Sequence, residues 1–73
     1  MSLTEWRALR GEALERQMLA ARWFVQPNDL IGDWSITVTD EPPSAGYPEV
    51  ADFLSRAAAQ HIVDLHNAAI DQT

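Results

Sequence analysis

Cysteine and lysine are both missing from this 73-residue chain. Without cysteine there is no disulfide and no thiolate metal staple, which fits a reducing compartment. Without lysine all five basic residues are arginine, and only the N-terminal amine could accept an acyl tag. Arginine codons are mostly GC-rich, so this usage points to a GC-rich genome. Glycine is scarce as well: Gly11, Gly32 and Gly46 stand too far apart to form a phosphate-cradling loop. No apolar run approaches the roughly 20 residues of a membrane span. Thr4, Glu5 and Arg7 also interrupt the place where a secretory leader needs an unbroken apolar stretch. The expectation is a soluble, cytoplasmic protein with no membrane association.

Positive charge is absent from the middle of the chain. Between Arg22 and Arg56 there is no basic residue, while Asp29, Asp33, Asp40, Glu41, Glu49 and Asp52 all fall there. The flanks nearly balance, so these six carboxylates equal the whole net charge of −6. Charge concentrated in one stretch makes one surface electronegative. Direct nucleic-acid binding needs a clustered cationic footprint, and the arginines before residue 23 scatter around any helix they occupy. The acidic block fits a protein partner with a basic surface, bound through Asp29, Asp33, Asp40, Glu41, Glu49 and Asp52. Trp34 and Tyr47 would supply the rigid apolar anchors that interfaces favour. The plainer reading of the same acidity is solvation.

The apolar fraction of 47% includes eleven alanines, which bury little area each. The core is therefore expected to rest on Trp6, Trp23, Phe24, Trp34, Ile36, Val38, Phe53, Ile62 and Leu65. One domain over residues 1–73 is near the lower size limit for an unassisted fold, so a second copy or a bound partner could complete it.

Ser2 and Glu5 have the spacing of a capping box, with Met1 placed to staple against Trp6. A helix is predicted from about 3 to 25, its apolar face interrupted by Arg10 and Gln17, with a bend at Gly11 and an end at Pro27. Residues 26–33 read as a connector. Trp34, Ile36 and Val38 alternate with Ser35, Thr37 and Thr39, predicting a strand over 34–39. Pro42, Pro43, Gly46 and Pro48 make a long loop, and 49–53 reads as the return strand. Ser55, with Asp52 as the alternative, caps a helix over 56–70 whose Leu54, Ala58, Ile62, Leu65 and Ala69 line up on one side. The predicted architecture is α+β, in the order α-β-β-α, with a two-stranded antiparallel hairpin packed against two helices.

No constellation carries recognisable chemistry. On a helix His61 and His66 are about 140° apart and cannot grip one ion, although Asp64 could bond His61 one turn away. Ser35, Ser44 and Ser55 lie in no nucleophile-elbow pattern. Residues 28–33 lack the alternating ligands of a calcium loop. The expectation is a protein that is not an enzyme, with no catalytic residue, no metal site and no cofactor.

The run Ser55-Arg56-Ala57-Ala58-Ala59-Gln60-His61-Ile62-Val63-Asp64-Leu65-His66-Asn67 resembles the C-terminal helix of short, uncharacterised proteins of actinobacteria and their phages. Those proteins place a Trp-bearing strand and a short return strand before a helix with Ala-x-His-Ile and a later His. The likeness covers about half the chain, from Trp34 onward. Asn67-Ala68 stands where that family has Asp-Pro. The resemblance implies no activity, only a setting: a phage or prophage product that binds and modulates a host protein. The rival expectation is a self-assembling homodimer, formed through the ribbon edges or the long first helix, with no electrostatic partner.

Overall fold

The Oγ of Ser2 accepts the Glu5 backbone N–H at 3.2 Å, and Glu5 Oε1 accepts the Ser2 N–H at 3.1 Å, closing the predicted capping box. It opens α1 (Leu3–Ala8) in a computed structural model that describes residues 1–72. Thr73, the last residue of the expected 1–73 domain, lies outside the described residues. Met1, the expected staple, is 53% exposed.

The single helix expected over 3–25 is two. α1 stops at Ala8 and α2 (Gly11–Ala20) restarts after an extended Leu9-Arg10 step. Arg10 causes part of this break: its guanidinium folds back to donate to the carbonyls of Leu9, at 2.7 Å, and of Arg7, satisfying groups that the end of α1 leaves open. Gly11 completes it with φ +56°, a conformation that costs other residues a Cβ clash. An unbroken helix would be roughly 34 Å long, more than the 29 Å longest dimension of the molecule.

Residues expected as helix end and connector form a further strand, β1 (Phe24–Asn28). It pairs antiparallel with β2 (Asp33–Thr37), from Phe24 opposite Thr37 to Asn28 opposite Asp33. Asn28 makes the turn between them: its side-chain Oδ1 accepts Leu30 N–H at 3.1 Å, and its carbonyl accepts the N–H groups of Ile31 and Gly32. Pro27 is tolerated because β1 is an edge strand. β3 (Glu49–Leu54) pairs antiparallel with the other side of β2, giving the order β1-β2-β3. The loop from β2 to β3 holds a short 3-10 turn at Pro43–Ala45. Ser55 then caps α3 (Arg56–Asp71), its Oγ accepting Ala58 N–H at 3.2 Å. The α+β class holds, as α-α-β-β-β-α rather than α-β-β-α.

α3 packs on β1 and β2. Ile36, Ala59 and Val63 form the buried centre, with Trp23, Val25, Trp34, Val50, Ala51 and Leu54 around it. The helix face that meets the sheet is therefore corrected: Ala59 and Val63 are buried, whereas Ile62 and Leu65 are 37% and 62% exposed. Ala59 is small enough to let the helix backbone approach β2 closely. Phe53, also expected in the core, is 69% exposed, while Trp6, Ile36 and Val38 are buried as expected. Both faces of β2 are covered, because Ser35 and Thr37 are as buried as Ile36.

Candidate functional site

The face of the sheet opposite α3 is polar and spans all three strands. Ser35 Oγ, on β2, donates to Asp52 Oδ1 at 3.0 Å and accepts from Asn28 Nδ2 at 3.1 Å. The same Asn28 amide lies 3.3 Å from Glu49 Oε1. Asn28 is 7% exposed and Ser35 fully buried, so these bonds replace water that burial has removed.

Glu49 and Asp52 meet on this face for a reason no alternation pattern gives. Residues three apart on a regular strand point to opposite sides of a sheet. β3 is irregular: its register against β2 shifts between Trp34 and Ile36 and again between Ile36 and Thr37. Two extra residues are absorbed, and the bulge between Ala51 and Leu54 holds Phe53 at φ +60°. Glu49 and Asp52 thereby come within hydrogen-bonding reach. A shared hydrogen bond with Asp52, reinforced by burial and by the Asp52 charge, pushes the Glu49 carboxyl up to about 7. Near neutral pH this pair therefore carries less than its formal two charges.

The remaining predicted positions lie in the β1–β2 turn, along β2 and in the loop that follows it. Asp29 is exposed in the β1–β2 turn and Asp33 is exposed where β2 begins. Asp40 and Glu41 are exposed after β2, with the Glu41 N–H held by Thr39 Oγ1 at 3.2 Å. The chain then folds back, so that Pro42, Pro43 and Ser44 face Pro27, Asn28, Asp29 and Leu30 across a cleft of about 220 Å³. Leu30, at the tip of the turn, is 90% exposed. Among the described residues none of the six carboxylates between Arg22 and Arg56 forms an ion pair; the one present joins Arg22 to Asp71. Tyr47 is half-buried in the loop. Trp34 lies elsewhere: it packs into the core on the α3 side, with the Arg56 guanidinium 5.3 Å from its ring centroid.

Asn28 and Ser35 are the members of this face that sequence reasoning missed. The signal present was Asn28 four residues before Gly32, between two apolar alternations, which is hairpin chemistry. His61, Asp64 and His66 do not assemble into a site. Asp64 accepts from Gln60 Nε2 at 2.9 Å instead of meeting His61, and His66 is a half-buried packing residue turned toward Ala21. Among the described residues no helix is long and apolar enough to cross a membrane. No protein-family model, curated protein or solved structure matches the chain.

Proposed function

We propose that this chain is a small non-enzymatic interaction protein that binds a basic surface on another protein through the β1–β2 turn and the facing loop. One observation carries the reading: Asp29, Asp33, Asp40 and Glu41 are exposed without cationic partners among the described residues, and Leu30 in the same turn as Asp29 is exposed too. Unpaired carboxylates steer a cationic surface toward the turn, and Leu30 with the prolines of the cleft supplies apolar contact once water is displaced. Asp52 and Glu49 act behind them, holding the three strands so that the turn is presented rigidly. The resemblance to actinophage proteins supports a phage or prophage product acting in the bacterial cytoplasm, with a host protein as the partner it modulates.

The test is affinity capture from a lysate of a GC-rich bacterium, comparing the native chain with one carrying Asp29→Asn, Asp33→Asn, Asp40→Asn and Glu41→Gln. The expected result is a basic protein retained by the native chain at low salt. It should be released as salt shortens the screening length to about 8 Å and lost from the neutralised variant. Identical captured sets, or capture indifferent to salt, overturn the proposal.

A further inference from the structure

The corrected orientation of α3 leaves an apolar stripe facing solvent. Ala58, Ile62, Leu65 and Ala69 recur at intervals of four, three and four, the spacing of a coiled-coil seam. All four are exposed. At 3.6 residues per turn they occupy an arc of about 60°. Ala57, His61 and Ala68 widen that arc, and Arg56, Asp64 and Asp71 lie outside it. On a chain of net charge −6 this is a helix face without a carboxylate.

The order of side-chain sizes reads alike in both directions: small at Ala58 and Ala69, large at Ile62 and Leu65. A two-fold axis passing between residues 63 and 64 would set Ala58 of one copy against Ala69 of the other, and Ile62 against Leu65. The small ends let two helix axes approach and the large centre interdigitates, an isologous contact that one sequence satisfies from both sides. The apolar surface also continues past Ala69 into an open groove of about 360 Å³ lined by Leu19, Ala20, His66 and Ile70. Leu19 there is 55% exposed. The ribbon edges are poorer self-pairing surfaces: β1 carries Pro27, and β3 is broken by its two register shifts.

We infer that the outer face of α3 is a homodimer interface, in which two copies of this chain pack antiparallel through Ala58, Ile62, Leu65 and Ala69. This does not depend on the acidic-face reading. The two are compatible, because α3 and the Glu49–Asp52 cluster occupy opposite faces of the sheet; the dimer presents two acidic faces outward and binds bivalently.

Sedimentation equilibrium of the full chain tests it. The native chain should show twice the 8.2 kDa monomer mass, Leu65→Glu the monomer mass, and Leu30→Glu, changed away from the stripe, the dimer mass. Far-UV circular dichroism checks that Leu65→Glu stays folded. A second test does not depend on that variant and exploits the lack of native cysteine. Oxidation of the Ala58→Cys, Ala69→Cys double variant should give a covalent dimer. Either cysteine alone should not, because two copies of one site would stand about 16 Å apart, beyond the roughly 7 Å Cα limit for a disulfide. A native monomer at millimolar concentration, a dimer that survives in folded Leu65→Glu, or failure of the double variant to cross-link each overturns the inference, and a monomer would assign the stripe to another chain.

Discussion

The indole of Trp23 lies flat on the imidazole of His66, with ring centroids 3.5 Å apart and planes inclined by 9°. The segment that links α2 to β1 is fastened to α3 around this stack. His66 Nε2 donates to the Ala21 carbonyl at 2.7 Å, which fixes the proton on that nitrogen. Asn67 clamps the Trp23 backbone, accepting its N–H at 2.9 Å and donating to its carbonyl at 3.0 Å. The Trp23 indole N–H reaches Met18 O at 2.7 Å, and Arg22 pairs with Asp71. α2 buries no side chain fully, so this fastening does much of what a core contact does elsewhere.

His66→Ala should therefore destabilise the fold by about 2 kcal/mol, the combined size of an aromatic stack and one hydrogen bond. His66→Phe keeps the stack and should lose about half as much. Urea midpoints of the two variants give the comparison; equal losses would mean that the stack contributes nothing.

Stability should fall as pH rises across the neutral range. The Glu49 carboxyl is raised in the folded chain from 4.5 to about 7, so the native state binds this proton more tightly than the unfolded state. That contribution is complete below about 4.5 and is lost progressively as pH climbs through about 7. Glu49→Gln can still donate to Asp52 and accept from Asn28 but carries no charge. It should match the native chain at pH 5 and exceed it at pH 8, both read from urea midpoints. A native chain whose midpoint is flat between these values would contradict the shared proton.

Phe53→Gly should stabilise. Phe53 holds φ +60° at the β3 bulge while its side chain is 69% exposed, so glycine relieves a strained backbone at small loss of packing. The expected gain is about 1 kcal/mol, seen as a higher midpoint of thermal unfolding; a loss would show that the phenyl ring packs more than its exposure indicates.

Gly11→Ala separates the two-helix structure from an unbroken helix. In a helix interior the change would stabilise by about 1 kcal/mol. At φ +56° it should destabilise by a similar amount. Chemical denaturation of the two chains reads the sign directly.

Much of the local structure was legible without coordinates. Ser2 with Glu5 caps α1 as their spacing predicts, Ser55 caps α3, and the alternation around Ile36 is a strand. The irregular loop follows from Pro42, Pro43, Gly46 and Pro48. Arg10, an apparent flaw in the apolar face of one helix, is the residue that folds back at its end. β1 was missed because a proline inside a strand argues against one unless the strand lies at an edge, and edge position is not a local property.

The candidate face was legible as charge but not as chemistry. The exposed carboxylates of the turn and loop follow from composition alone. The Glu49–Asp52 pair does not, because alternation would separate them and only the bulges of β3 bring them together. On α3 the larger side chains, Ile62 and Leu65, drew the expected core face, whereas the sheet accepted the smaller Ala59 and Val63.

Sequence by itself determined the helix caps, the alternation of β2 and the proline-rich loop, since those choices depend on the sterics and hydrogen bonds of neighbouring residues. It also set the acidity of the central stretch. Only the tertiary structure decided which side of α3 meets the sheet, which carboxyls meet on the opposite face and which tryptophan is fastened to His66. These contacts join residues distant in the chain, and their free energy comes from close packing and burial, which no local pattern encodes.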